Sequence, residues 1–277
     1  DKNGNLFDPF NGKKDLINGE INFIGNAEKR IKEDYLRILR YIRFYINYSK
    51  KKHKAQTLKD IKKNLNGIAI ISSERLLDEF KKLIRSKKFL KLTKDKDCLE
   101  IISLIFPQFK SFQVLKNLNS YAEKNFFKFD FIFLLSLLII DGSDNVDYFI
   151  YKFKLSKKDQ TRIKFINNFF KAKINSKTFL EKNLNFIFYF NGKEALNDIL
   201  NFRLFKLNKP DPNLIEMIKK FENKKIPLMP FGANVLMNKY KLTAGKQLGN
   251  KLDEIEKSWV NNNFYISEKD VEKIINN

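Results

Sequence analysis

The stretch "EDYLRILRYIRF", Glu33 to Phe44, carries Arg37, Arg40 and Arg43. The chain holds eight arginines against 46 lysines, and four of the eight lie between Arg30 and Arg43. Ammonium and guanidinium both solubilise a surface, but only guanidinium offers a rigid planar fork of donors. Ile31, Tyr35, Leu36, Ile38, Leu39, Ile42, Phe44 and Ile46 recur at helical spacing, which predicts one amphipathic helix from Glu28 to the "KKKHK" run. On that helix Asp34 and Arg37 share a face. One reading of the pair is an intrahelical ion pair worth about 0.2–0.5 kcal/mol. The other is a matched acceptor and donor for a base edge. Cytosine and adenine each set an exocyclic amine beside a ring-nitrogen acceptor, and uracil and guanine present the reverse. A reversed edge leaves buried polar groups unpaired, at about 1–3 kcal/mol each.

Composition narrows the setting. With 43% hydrophobic residues and 28 phenylalanines in 277 residues, the chain folds around a core. Scarce glycine (10) and proline (6) favour helices over many-turned β structure. A net charge of +22 calls for a polyanionic partner, nucleic acid before an anionic membrane surface. The longest apolar run, Phe131 to Ile140, is about half of a membrane span and reads as a buried helix, so no membrane is expected. The single cysteine, Cys98, excludes an internal disulfide and a cysteine-based zinc site. It reads as a half-buried structural cysteine in a reducing cytoplasm. His53, the only histidine, is expected in a solvated loop or helix end, with no His–Asp metal pair and no Ser–His–Asp catalysis.

Residues 1–26 differ from the rest: glycine- and asparagine-rich turns with a short alternating piece at Ile21–Ile24 suggest a β strand and loops. Helical patterns follow throughout, giving a mainly α fold divided as 27–92, 93–200 and 201–277. "TLKDIKKNL" reads as a short helix ending at Gly67, and "ISSERLLDEFKKLIRS" as a helix capped by Ser72 or Ser73. Near the C-terminus Gly245 and Gly249 open a helix flanked by Lys239, Lys241, Lys246 and Lys251. These glycines could let a phosphate backbone approach free N–H groups, allow a tight helix crossing, or do both.

"DPFNGKKDL" (8–16), "FIGNAEKRIKEDYLRILRYIRF" (23–44) and "ISSERLLDEF" (71–80) occur in order and together resemble the class II CCA-adding tRNA nucleotidyltransferases and the related bacterial poly(A) polymerases. The resemblance implies a hinge ending the catalytic head (1–26), a helical neck that reads the nucleotide (27–92), a body (93–200) and a tRNA-binding tail (201–277). It implies base templating by Asp34 and Arg37, with Glu33 and Arg40 holding that helix or reaching the triphosphate. Glu74 and Arg75 would support the site, and Asp8, Gly12 and Asp15 would lie on the hinge, where Asn11 replaces the family's glycine. Lys239, Lys241, Gly245, Lys246, Gly249 and Lys251 would contact RNA. CTP and ATP would be substrates, tRNA the partner, and Mg2+ the cofactor, bound by head carboxylates upstream of this chain. No such carboxylate pair is read here. "DKD" at Asp95–Asp97 looks like surface, so no catalytic or metal-binding residue is assigned and the chain alone is expected to be inactive. It begins without methionine and is read as starting inside a longer protein. Poly(A) synthesis, a non-catalytic tRNA-binding module and a helical interaction protein with incidental basicity are the other readings.

Overall fold

The computed structural model describes residues 2–172, 179 and 181–276. Among them every regular element is a helix, in keeping with the mainly α fold, and no strand forms. The piece expected as a strand at 21–24 is irregular. Among the described residues no second extended segment completes a ladder with it, and an isolated strand has nothing to hold its backbone groups. The chain divides into two compact units, Asp1–Lys164 and Phe165–Asn277.

In the first unit, α1 (Gly12–Asn18) starts where the Asp8 carboxylate accepts hydrogen bonds from the backbone N–H of Gly12 (2.7 Å) and Lys13 (2.8 Å). Those bonds, Lys13 first, hold the Asp8 carboxyl below the usual range. Asn11 sits at φ 57°, ψ 31°, a left-handed conformation that asparagine tolerates better than most residues. Asp15 accepts from the Asn22 side chain at 3.0 Å.

The helix predicted to run unbroken from Glu28 is two helices, α2 (Ala27–Glu33) and α3 (Arg37–Tyr48). Asn26 caps α2 by accepting from Lys29 N–H at 2.9 Å. The break lies at Asp34, extended at φ −156°, ψ 103°, whose carboxylate accepts from Leu36 N–H at 3.2 Å. A short acidic side chain that bonds its own backbone two residues on competes with the helix ladder. The shared helical face predicted for Asp34 and Arg37 is thereby corrected: Asp34 precedes α3, and its carbonyl accepts from Arg37 N–H at 3.0 Å.

The chain continues through α4 (Ala55–Lys63) and a 3-10 turn at Leu65–Ile70 into α5 (Ser73–Ile84). Gly67, expected as a helix stop, lies inside the 3-10 turn because the Tyr35 ring rests on it. A Cβ there would fall 1.9 Å from Tyr35 Cε1. Ser72 caps α5 by accepting from Arg75 N–H at 3.4 Å. Ile38, Leu39, Ile42 and Ile46 of α3 are buried, as are Leu76, Phe80, Leu83 and Ile84 of α5, and these two helices pack together.

Beyond them come α6 (Lys96–Ile105), α7 (Phe112–Lys116), α8 (Ser120–Asn125), α9 (Phe131–Ile139) and α10 (Asn145–Phe153). Phe80 gathers Phe89, Phe106, Phe109 and Phe131 around itself with ring centroids 4.6–6.4 Å away. Aromatic clusters of this kind add about 0.5–1.5 kcal/mol per pair to simple burial. The apolar run at Phe131 to Ile140 is buried within this core. No helix among the described residues is long and apolar enough to cross a membrane.

α11 (Lys157–Lys171) carries the chain into the second unit, built from α12 (Glu181–Lys206), α13 (Pro212–Asn223), α14 (Ala233–Tyr240), α15 (Lys246–Asn261) and α16 (Glu268–Asn276). α12 kinks at Gly192, whose φ of 85° favours glycine. It packs on α13 and α15. Tyr189 Oη donates to Glu256 Oε1 at 2.7 Å while its ring meets Trp259 edge-on at 5.3 Å. Leu236, Leu248, Ile255 and Val271 form a small core joining α14, α15 and α16.

The contact between Gly67 and Tyr35 fixes the chain beside the break at Asp34. Gly67→Ala is expected to cost about 1–3 kcal/mol by overpacking, read as a lower denaturation midpoint, with part of the loss recovered by Tyr35→Leu in the same background. An unchanged midpoint would show that the ring is not held against position 67.

Candidate functional site

The break between α2 and α3 carries the acidic and guanidinium groups that the motifs single out. Asp34 is half-buried, and Arg75 from the first turn of α5 reaches both its carboxylate oxygens, at 3.3 and 3.4 Å. Arg37 Nη1 donates to Glu33 Oε2 and to the backbone carbonyl of Arg30, both at 2.6 Å. Glu33 also accepts from Arg30 at 2.5 Å. Its carboxyl is held below the usual range by the bond from Arg37 first, with Arg30 adding. Each half of the expected base-reading pair is thus oriented by its own partner, and one Arg37 terminal nitrogen is occupied by these bonds. Glu74, in contrast, lines a 1020 Å3 cleft together with Lys81, Lys158 and Asp159. Both acids and bases line that cleft.

Arg40 and Arg43 face elsewhere. Arg43 Nε lies 2.8 Å from Glu79 Oε1 and Arg40 Nε 3.6 Å from Glu79 Oε2, with the Glu79 side chain only 2% exposed. Glu79 is the residue that sequence reasoning missed. A signal was present: arginines at three-residue spacing on one helix imply an acid on the element they face. A buried carboxylate persists only when paired.

In the second unit, Lys239 pairs with Glu268 at 2.7 Å. Lys251 donates to the Ile274 carbonyl at 2.7 Å and is 14% exposed. These two lysines tie α16 to α14 and α15. Lys241, Gly245, Lys246 and Gly249 are exposed around the start of α15. A Cβ built on Gly245 or Gly249 meets nothing within 4 Å, so the tight-crossing reading of these glycines does not hold.

His53, expected in solvent, has a side chain only 5% exposed. The Tyr45 ring stacks on it at 3.5 Å, and Tyr41 Oη lies 2.9 Å from Nδ1. An imidazole between two tyrosines follows the apolar side of α3 inward, which the lysines around it in sequence concealed. Burial lowers its pKa, with Asp95 opposing. Cys98, expected to be half-buried, is fully buried, and burial pushes its thiol up, with Asp95 adding. Asp95, expected on the surface, caps α6 and lies 3.3 Å from His53 Nε2. Among the described residues, His53, Asp95 and Cys98 are the one group of three or more potential ligands that converges. Magnesium takes oxygen donors, so this sulfur- and nitrogen-bearing set does not fit the Mg2+ that the resemblance implies.

Residues 54–113 match the family model described as "Probable RNA and SrmB- binding site of polymerase A". The individual relatives are more particular. The chain is 51% identical over 83 residues to the human mitochondrial CCA tRNA nucleotidyltransferase 1, a match covering 29% of this chain and 19% of the relative. It is 26% identical to the CCA-adding enzyme of Streptococcus uberis over 99% of this chain and 67% of that enzyme. The fold is that of the Bacillus stearothermophilus CCA-adding enzyme in complex with CTP, with TM-score 0.67 at 18% identity, covering 100% of this chain and 70% of that one. The resemblance to CCA-adding tRNA nucleotidyltransferases and their poly(A) polymerase relatives is borne out. The chain spans between about a fifth and two thirds of the curated relatives' lengths.

The pairing at Glu79 carries a stability consequence. Arg43→Met removes the nearest cation and leaves the buried carboxylate with only the longer contacts of Arg40 and Lys82, at 3.6 and 3.8 Å. A loss of about 3 kcal/mol is expected, larger than that of Arg40→Met, whose side chain is 44% exposed. Urea denaturation of both variants measures the difference, and equal losses would contradict the assignment.

Proposed function

We propose that this chain selects the nucleotide and holds the tRNA in a nucleotidyltransferase that adds C and A, from CTP and ATP, to tRNA 3′ ends. The observation that carries the reading is the pair of oriented groups at the α2–α3 break: Asp34 steadied by Arg75, and Arg37 steadied by Glu33 and the Arg30 carbonyl. The likeness to CCA-adding enzymes supports it. Asp34 accepts from the exocyclic amine of cytosine or adenine, and a guanidinium N–H of Arg37 donates to the adjacent ring nitrogen. Orientation before the base arrives lowers the entropy lost on binding. Uracil and guanine set a carbonyl against the Asp34 carboxylate and an N–H against the guanidinium, so each would leave desolvated groups unpaired.

The ion pairs at Glu33 and Glu79 support a reading for the other arginines of the cluster. Arg30 and Arg37 share Glu33, while Arg40 and Arg43 share Glu79, so Arg40 positions α3. The +22 charge holds the RNA through phosphate contact, with exposed Lys241 and Lys246 near the start of α15 among the groups available. Lys239 and Lys251 contribute indirectly, by fixing α16. The described residues supply recognition, and the free Cys98 suits a reducing compartment such as the cytoplasm.

The test incubates the protein carrying this chain with a tRNA lacking its 3′ CCA and all four nucleotides, and sequences the product ends. Addition of C, C and A is expected. A long adenosine tract would assign poly(A) synthesis instead, and unextended tRNA that stays bound would mark a non-catalytic module. Arg37→Lys is expected to relax or slow nucleotide choice at least tenfold, the loss that follows from about 1.4 kcal/mol of mispairing, while tRNA affinity changes little. A lysine variant that discriminates as well as the parent would remove Arg37 from the base edge.

A further inference from the structure

We propose that His53, Asp95 and Cys98 form a binding site for one borderline-soft divalent cation of the Zn2+ class. The three residues lie in two segments, the loop after α3 and the first turn of α6, and their ligand atoms all fall within 4.8 Å of one another. His53 Nε2 is 3.3 Å from Asp95 Oδ2 and 3.6 Å from Cys98 Sγ. Zinc bonds of about 2.0–2.1 Å to nitrogen, 2.0–2.2 Å to oxygen and 2.3 Å to sulfur give tetrahedral edges of about 3.3–3.5 Å for N···O and about 3.6 Å for N···S. Two of the three edges are therefore already set.

The surroundings orient each donor. Tyr41 Oη lies 2.9 Å from His53 Nδ1, so with Nδ1–H donating to that oxygen the lone pair of Nε2 points at the cation. The Tyr45 ring, stacked at 3.5 Å, fixes the imidazole plane. Asp95 Oδ1 accepts from Cys98 N–H at 2.9 Å, which leaves Oδ2 for the metal. The side chain of Asp95 is 26% exposed and gives the cation its entrance, with water in the fourth position. A thiolate, an imidazole and a carboxylate select zinc over magnesium or calcium. Binding exchanges the Cys98 thiol proton for the metal and releases it to solvent, so affinity rises with pH. A single cysteine excludes a zinc site built on cysteines alone. A mixed site needs only one.

Without metal the same atoms form a hydrogen-bonded network, with Nε2–H donating to Asp95 and Tyr41 donating to Nδ1. Zinc would convert that network into a cross-link between the end of α3 and the start of α6. The inference is independent of the base-reading role of Asp34 and Arg37, and its test does not use activity.

The metal-free protein is titrated with Co2+ and followed by visible and near-ultraviolet absorption. Expected are one equivalent per chain, a thiolate-to-cobalt charge-transfer band, displacement by Zn2+, and a melting temperature raised by Zn2+. Cys98→Ser and His53→Gln are expected to lose that band. Because either variant disturbs a buried network, cadmium NMR of the unmodified protein gives a second readout, with a resonance in the range of a single sulfur ligand expected. Absence of saturable uptake, a cobalt or cadmium spectrum of oxygen and nitrogen donors alone, or a charge-transfer band that persists in folded Cys98→Ser would each overturn the proposal.

Discussion

The buried carboxylate of Glu79 is the constraint on which the rest of the first unit depends. It projects from α5 into the seam with α3, where Arg43 and Arg40 meet it. Apolar packing along this seam is strong but has no direction, because isoleucine and leucine surfaces slide past one another at little cost. A desolvated charge is different: it tolerates one register, the one in which cations reach it. With α3 and α5 locked in that register, Arg75 at the start of α5 arrives beside Asp34. The structural pair and the proposed reading pair are therefore two ends of one geometry.

The arginines divide accordingly. Arg37 and Arg75 orient groups at the α2–α3 break, and Arg40 and Arg43 hold the helices that carry it. Lysine supplies most of the positive charge, and some of it is spent inside the fold, as Lys239 and Lys251 show in the second unit. A basic residue near a glycine-opened helix is thus an RNA contact only when the tertiary structure leaves it exposed. Charge counting overestimates such surfaces for that reason.

Much of the fold was legible in the chain. The helix at "ISSERLLDEF" and its Ser72 cap, the buried run at 131–140 and the helix opened by Gly245 all follow from periodicity and capping chemistry. The break at Asp34 was not legible, since the apolar spacing passes through it undisturbed. It arises from a side chain that bonds the backbone and from a tyrosine ring that needs the bare Gly67. The strand expected near Ile21 failed because alternation marks only a candidate, and a strand requires a neighbour.

By itself the sequence determined the class of structure, the order of the motifs and the chemistry they offer: an amphipathic helical chain, strongly basic, with guanidinium concentrated beside two acids. Those properties depend on local spacing and residue type. Only the tertiary structure decided that Arg40 and Arg43 meet Glu79, that Arg75 meets Asp34, and that His53 leaves the lysines around it to lie beside Asp95 and Cys98. Partners separated by about 40 residues are chosen by burial and by the satisfaction of desolvated charge, and neither leaves a period in the sequence.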